Sequence, residues 1–168
     1  MRSVIAVFVD NKYGVLARVT SLFMRKGFNI DTLTVGETDN PAYSRITITL
    51  NGDEYAREQL MNQLNKLHNV RKVKYLGDGS SVEREIMLVK VKNTAENRAE
   101  IEAAEKIYKT KIVDYTTDSL CIEVTGDPHK ITAFIELMKP LGIIELCRTG
   151  VVALERGSSM LEQEKELK

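Results

Sequence analysis

One order of elements is legible twice in this chain: strand, helix, strand, strand, helix, strand, on either side of the short polar stretch Gly77-Asp-Gly-Ser-Ser81. In the first pass, residues 4–9 alternate, with Ile5, Val7 and Val9 sharing a face. A helix signal follows, starting near Asn11 as its cap, with Val15, Leu16, Val19, Leu22 and Phe23 as its apolar stripe. Arg25-Lys26 sit in its last turn, and Gly27 just beyond ends it. Strand signals fall on residues 30–35 and 44–50, separated by the turn Asp39-Asn-Pro41. In the second of these, Ile46, Ile48 and Leu50 alternate with Arg45, Thr47 and Thr49, which predicts one wet face. Gly52-Asp53 opens a second helix with Ala56, Leu60, Leu64 and Leu67 inward, and residues 70–76 close the unit.

The second pass has the same order. Residues 85–92 alternate, with Met87, Val89 and Val91 on one face. Thr94 caps a helix carrying Ile101, Ala104 and Ile107. Strands at 112–115 and 120–124 flank Thr117-Asp118. Asp127-Pro128 reads as a cap followed by proline at the first helical position, with Ile131, Phe134, Ile135 and Met138 as the stripe. Pro140 and Gly142 stop that helix, and residues 143–154 form a last strand bent at Gly150.

The pattern therefore predicts an α+β chain of two tandem ferredoxin-like βαββαβ domains, each an antiparallel sheet with helices on one face. The expected division is 1–77, 82–157 and a frayed charged tail at 158–168. The other face of each sheet must find cover or be polar. Pairing between two copies would protect open strand edges, so at least a homodimer is expected.

Composition narrows the function classes. Lys plus Arg equals Asp plus Glu at 24 each, so there is no electrostatic case for a nucleic-acid or anionic-membrane partner. RNA binding on a ferredoxin-like sheet needs exposed aromatics in a basic surround, whereas the internal strands here offer Leu33, Ile46, Ile48 and Leu50. Cys121 and Cys147 sit in apolar runs without Cys-x-x-Cys spacing, which predicts buried structural thiols, no metal site and a reduced, cytoplasmic protein. No Gly-rich phosphate loop is present. His68 falls at a helix end and His129 in a first helical turn, neither with an evident acid or nucleophile partner, so nothing points to catalytic residues.

What remains is the break between residues 10 and 15. Gly14 in the opening turn of a helix carries a cost of up to about 1 kcal/mol relative to alanine. Close approach of a ligand to the backbone would account for it. A helix N-terminus favours a carboxylate, and an amide side chain nearby reads an ammonium group. Asn11 also has a plain role as a cap, and Asn29 as a turn residue after Gly27. The combination of Asn11, Gly14 and Asn29 around one helix favours a receptor for a free amino acid.

These residues carry a resemblance. Asn11-Lys-Tyr-Gly-Val-Leu-Ala-Arg-Val19, Arg25-Lys-Gly-Phe-Asn-Ile-Asp-Thr-Leu-Thr-Val-Gly36 and Ser44-Arg-Ile-Thr-Ile48 resemble an ACT domain. With Val82-Glu-Arg-Glu-Ile-Met-Leu-Val-Lys-Val91 and Arg148-Thr-Gly-Val-Val152, the chain is similar to the regulatory subunits of acetohydroxyacid (acetolactate) synthase. The resemblance implies a non-catalytic subunit that activates a large subunit and confers feedback inhibition by valine, on the path to valine, leucine and isoleucine. Thiamine diphosphate, Mg and FAD are expected on that catalytic subunit and no cofactor on this chain. It further implies an effector site shared by two protomers, with Asn11 and Gly14 from one and Asn29 from the other. The effector carboxylate would meet backbone N–H groups around Tyr13–Val15, and its branched side chain would pack on Ile30 and Leu16. Tyr13 departs from the proline that many ACT domains carry before the glycine. The alternatives are a stand-alone amino-acid sensor, for example of transcription, for which no helix-turn-helix signature or basic patch is visible, and a small ligand-transforming enzyme.

Overall fold

The computed structural model describes residues 1–77 and 79–161. Asp78 of the expected linker and residues 162–168 of the expected charged tail lie outside the described residues. In chain order the elements are β1 (Arg2–Asp10), α1 (Val15–Arg25), β2 (Ile30–Glu37), β3 (Tyr43–Asn51), α2 (Glu54–Asn65), β4 (Val70–Leu76) and β5 (Ser81–Lys92). They continue as α3 (Ala95–Tyr108), β6 (Lys111–Tyr115), β7 (Ser119–Gly126), α4 (Pro128–Met138), a 3-10 turn (Lys139–Leu141), β8 (Ile143–Arg148) and β9 (Val152–Glu155). The fold is α+β with two ferredoxin-like units. Met1–Val82 forms the first together with the segment from Val151 onward, and Glu83–Gly150 forms the second.

In the first unit the strands run β2-β3-β1-β4, all antiparallel. The register pairs Ile5 with Ile48 and Val7 with Ile46, which sets those four side chains on the helix side of the sheet. Val15, Val19, Leu22 and Phe23 of α1 and Leu60 and Leu64 of α2 close over them. Each such side chain contributes roughly 1.5–3 kcal/mol on full burial. Leu16 departs from the expected stripe and is 40% exposed. It follows Val15 directly, about 100° round the helix, and so points away from the sheet.

The other face of this sheet is not wet. Thr47 and Thr49 are only 3% and 2% exposed, because residues 151–161 cross over them. Val151, Ala153 and Leu161 are buried against Val4, Ala6, Phe8 and Leu76. The single bent strand expected over 143–154 is therefore two strands. Gly150 turns the chain with a φ of 84°, and β9 pairs with β5 while its segment packs with the first unit. Leu161, expected in a frayed tail, is 6% exposed.

The second unit repeats the order as β6-β7-β5-β8. Met87, Val89, Val91, Leu120, Ile122 and Val124 pack beneath Ile101, Ala104, Ile131, Phe134 and Met138. Ile107, in the last turn of α3, is 76% exposed instead of buried. The thiols also differ from expectation: Cys147 is exposed and Cys121 half-buried. They pair across from Leu88 and Lys90, at strand positions that alternate away from the core.

Candidate functional site

Among the described residues, three of the four α-helices begin on a side-chain cap. Asp53, Thr94 and Asp127 accept from the N–H groups of Ala56, Asn97 and Lys130 at 2.7, 3.1 and 2.9 Å. The bond from Lys130 holds the Asp127 carboxyl below its ordinary value. Helix α1 has no such cap. Its N-cap residue is Gly14, with a φ of 80° and ψ of −6°, and no side chain closes the first turn. The first N–H groups of a helix have no intrahelical acceptor, so they are presented outward with the positive end of the helix dipole. The sequence pattern places the cap at Asn11. Gly14 takes that position because its backbone enters the left-handed region, at a cost of roughly 1–2 kcal/mol for an L-residue. The space beside its Cα is open: beyond the adjoining residues, no atom lies within 4 Å of where a methyl group would sit.

Asn11 has another task. Its N–H donates to the Ala42 carbonyl at 2.8 Å. Its side-chain amide donates to the Pro41 carbonyl at 3.0 Å and to Glu37 Oε1 at 3.1 Å. With both amide hydrogens engaged, the capacity left on this side chain is its oxygen, an acceptor. Glu37 brings a carboxylate to the same place. It lies 26 residues away from Asn11 in sequence, and no motif marked it.

The remaining expected residues separate into two groups. Tyr13 is fully exposed, whereas the Val15 side chain is 3% exposed and belongs to the core. The Val15 N–H donates to the Lys12 carbonyl at 3.4 Å, so Val15 offers a ligand neither its side chain nor a free N–H. Ile30 is half-buried and packs against the same core. Asn29 is exposed, beyond the C-terminus of α1, where Gly27 turns the chain with a φ of 72°. An 11-residue helix separates Gly14 from that end, a length of about 16 Å. Asn11 and Gly14 thus stand together, and Asn29 does not join them within one chain.

Comparison with known proteins adds to this geometry. A family model described as an AHAS small subunit-like ACT domain matches residues 5–72, and one described as the small subunit of acetolactate synthase matches residues 84–157. The chain belongs to the acetolactate synthase small-subunit family. A probable acetolactate synthase small subunit from Archaeoglobus fulgidus is 51% identical over 158 residues, covering 94% of this chain and 99% of that one. The isozyme 3 small subunit of Escherichia coli is 40% identical, covering 96% and 99%. The crystal structure of the small subunit from Thermotoga maritima superposes with a TM-score of 0.86 at 38% identity, over 95% of this chain and 99% of that one. Membership of this family makes a regulatory role the coarse function and implies a catalytic large-subunit partner. No described helix is long and apolar enough to cross a membrane.

Proposed function

We propose that this chain activates the catalytic large subunit of acetolactate synthase and transmits feedback inhibition by valine. The observation that carries the effector reading is the bare N-terminus of α1. It leaves N–H groups and an open backbone at Gly14 for a carboxylate, beside the Asn11 oxygen and the Glu37 carboxylate for an ammonium group. The thiamine diphosphate, Mg and FAD chemistry belongs to the partner, and this chain supplies binding energy that differs between two states.

A second protomer completes the site. Strand β2 is an edge of its sheet. The outer side of α1 beside it carries Leu16 and Met24, 40% and 75% exposed, and Val35 on β2 is 46% exposed. A two-fold pairing through these surfaces runs α1 antiparallel to its copy. It brings Asn11 and Gly14 of one protomer to Asn29 and Ile30 of its partner, and it covers the apolar strip. The branched effector side chain then packs on Ile30 and Leu16.

Titration calorimetry of the full chain with valine tests this. Saturable binding is expected, with at least tenfold weaker affinity in both Asn11→Ala and Asn29→Ala. Undiminished affinity in either variant overturns the shared site. Reconstitution with the purified large subunit, with and without valine, tests the activation and the inhibition together.

A further inference from the structure

Residues 151–161 cross the face of the first sheet that the helices leave free, and among the described residues they form no strand ladder on that sheet. Backbone pairing ties β9 to β5, with the Arg156 N–H donating to the Ser80 carbonyl at 2.8 Å, and side chains hold the segment to the first sheet. Thr34 of β2 donates to the Val151 carbonyl at 3.1 Å, and Arg45 of β3 to the Ala153 carbonyl at 2.8 Å. From β4, Lys74 pairs with Glu155, and Lys72 donates to the Met160 carbonyl at 3.4 Å. The apolar contribution comes from three side chains, Val151, Ala153 and Leu161. A half-open pocket of about 250 Å³ lies beside the segment, lined by Arg45, Lys74, Leu76, Glu155, Met160 and Leu161, among others. Gly150 and Gly157, with φ of 84° and 79°, bracket β9.

We propose that this segment is a latch that opens without unfolding the first unit and that sets the order of β2. Only three apolar side chains anchor the segment and solvent reaches the pocket beside it, so opening, which also breaks the short β9–β5 pairing, costs less than breaking the close-packed helix side. The Thr34 bond ties the latch to the middle of β2. That strand starts directly after Asn29 and ends at Glu37, which holds Asn11. Opening frees β2 between the two halves of the effector site, and effector binding favours the closed latch by the same free energy. This last coupling rests on the effector reading above.

The test uses the full chain with Cys121→Ser and Cys147→Ser as background. Ala153→Cys on the latch and Val19→Cys in the helix-side core are labelled with a thiol reagent under native conditions, and Leu161→Cys repeats the latch measurement if Ala153→Cys does not fold. The latch cysteine is expected to react at least tenfold faster than Val19→Cys. Thr34→Val and Arg45→Met should each speed it a further threefold or more and leave Val19→Cys unchanged. Equal labelling rates at the two positions overturn the latch. Saturating valine should slow the latch cysteine. If calorimetry shows valine bound and the rate does not change, the coupling to β2 is wrong. If valine does not bind, the effector reading fails, while the labelling rates still decide the latch.

Discussion

The two units share strand order and helix placement, yet they treat the second face of the sheet in opposite ways. In the first unit every residue from Ser3 to Asp10 of β1 is buried, because residues 151–161 cover the side away from the helices. In the second unit Ile86 and Leu88 occupy that side of β5 and are 43% and 44% exposed. A ferredoxin-like fold builds one core by itself. A second core needs a further segment, and among the described residues one is supplied to the first unit only.

A second contrast lies in the polar clamps. In each unit a carboxylate on the first strand grips an arginine on the last strand through two bonds. Asp10 accepts from Arg71 Nε and Nη2 at 2.7 and 3.1 Å, and Glu85 from Arg148 at 2.7 and 2.8 Å. Glu85 has no exposed side-chain surface, and its hydrogen bonds raise the Arg148 pKa above its ordinary value. Arg71 is more exposed than Arg148, at 44% against 33%. The two clamps are alike in form and unequal in depth.

The deepest clamp should give the largest effect. Arg148→Met strands the buried Glu85 carboxylate, and a loss of about 3 kcal/mol is expected in the second unit. Arg71→Met should cost somewhat less, about 2 kcal/mol in the first, since Asp10 is also buried but the Arg71 head is the wetter of the two. Urea unfolding with hydrogen exchange resolved by unit checks both, and equal losses would erase the contrast in depth. Next comes the covered face. Leu161→Ala should cost the first unit about 2 kcal/mol, whereas Leu88→Ala on the open face should stay within about 0.5 kcal/mol. The reverse order in thermal unfolding would mean that the latch carries no core.

Gly14→Ala should cost roughly 1–2 kcal/mol for the left-handed backbone. The methyl finds open space, so the protein should still fold and the loss should appear in the melting temperature. The smallest effect expected is on pH. Lys74 donates to Glu155 and holds its carboxyl below the ordinary 4.5. A depressed carboxyl stabilises the closed latch above that value, and the contribution is lost as pH falls through the folded-state pKa. Thiol labelling at Ala153→Cys should therefore show more opening below about pH 4.5, after correction for the reagent's own pH dependence. A flat profile in wild type, or the same profile in Lys74→Met, counts against the Lys74 pairing.

Local signals in the sequence located nearly every element. Asp53, Thr94 and Asp127-Pro128 marked three helix starts correctly, because a cap and its helix lie within a few residues. The fourth start was misplaced from Gly14 to Asn11. Both residues suit a helix N-terminus, and only the contacts to Pro41 and Glu37 show which task Asn11 performs. Val15 was legible as a member of the apolar stripe, but not that its side chain would be spent in the core.

Everything legible along the chain is local: the alternation of the strands, the stripes of the helices, the duplication and the family motifs around Gly14. Each depends on neighbours in the chain. Which faces meet is settled only once the chain has folded. Alternation in residues 44–50 says that one side is polar, and not that Thr47 and Thr49 lie under a segment arriving a hundred residues later. Burial depends on every part of the chain at once, so the cover over the first sheet, the Glu37 contact and the two arginine clamps had no local signature to read.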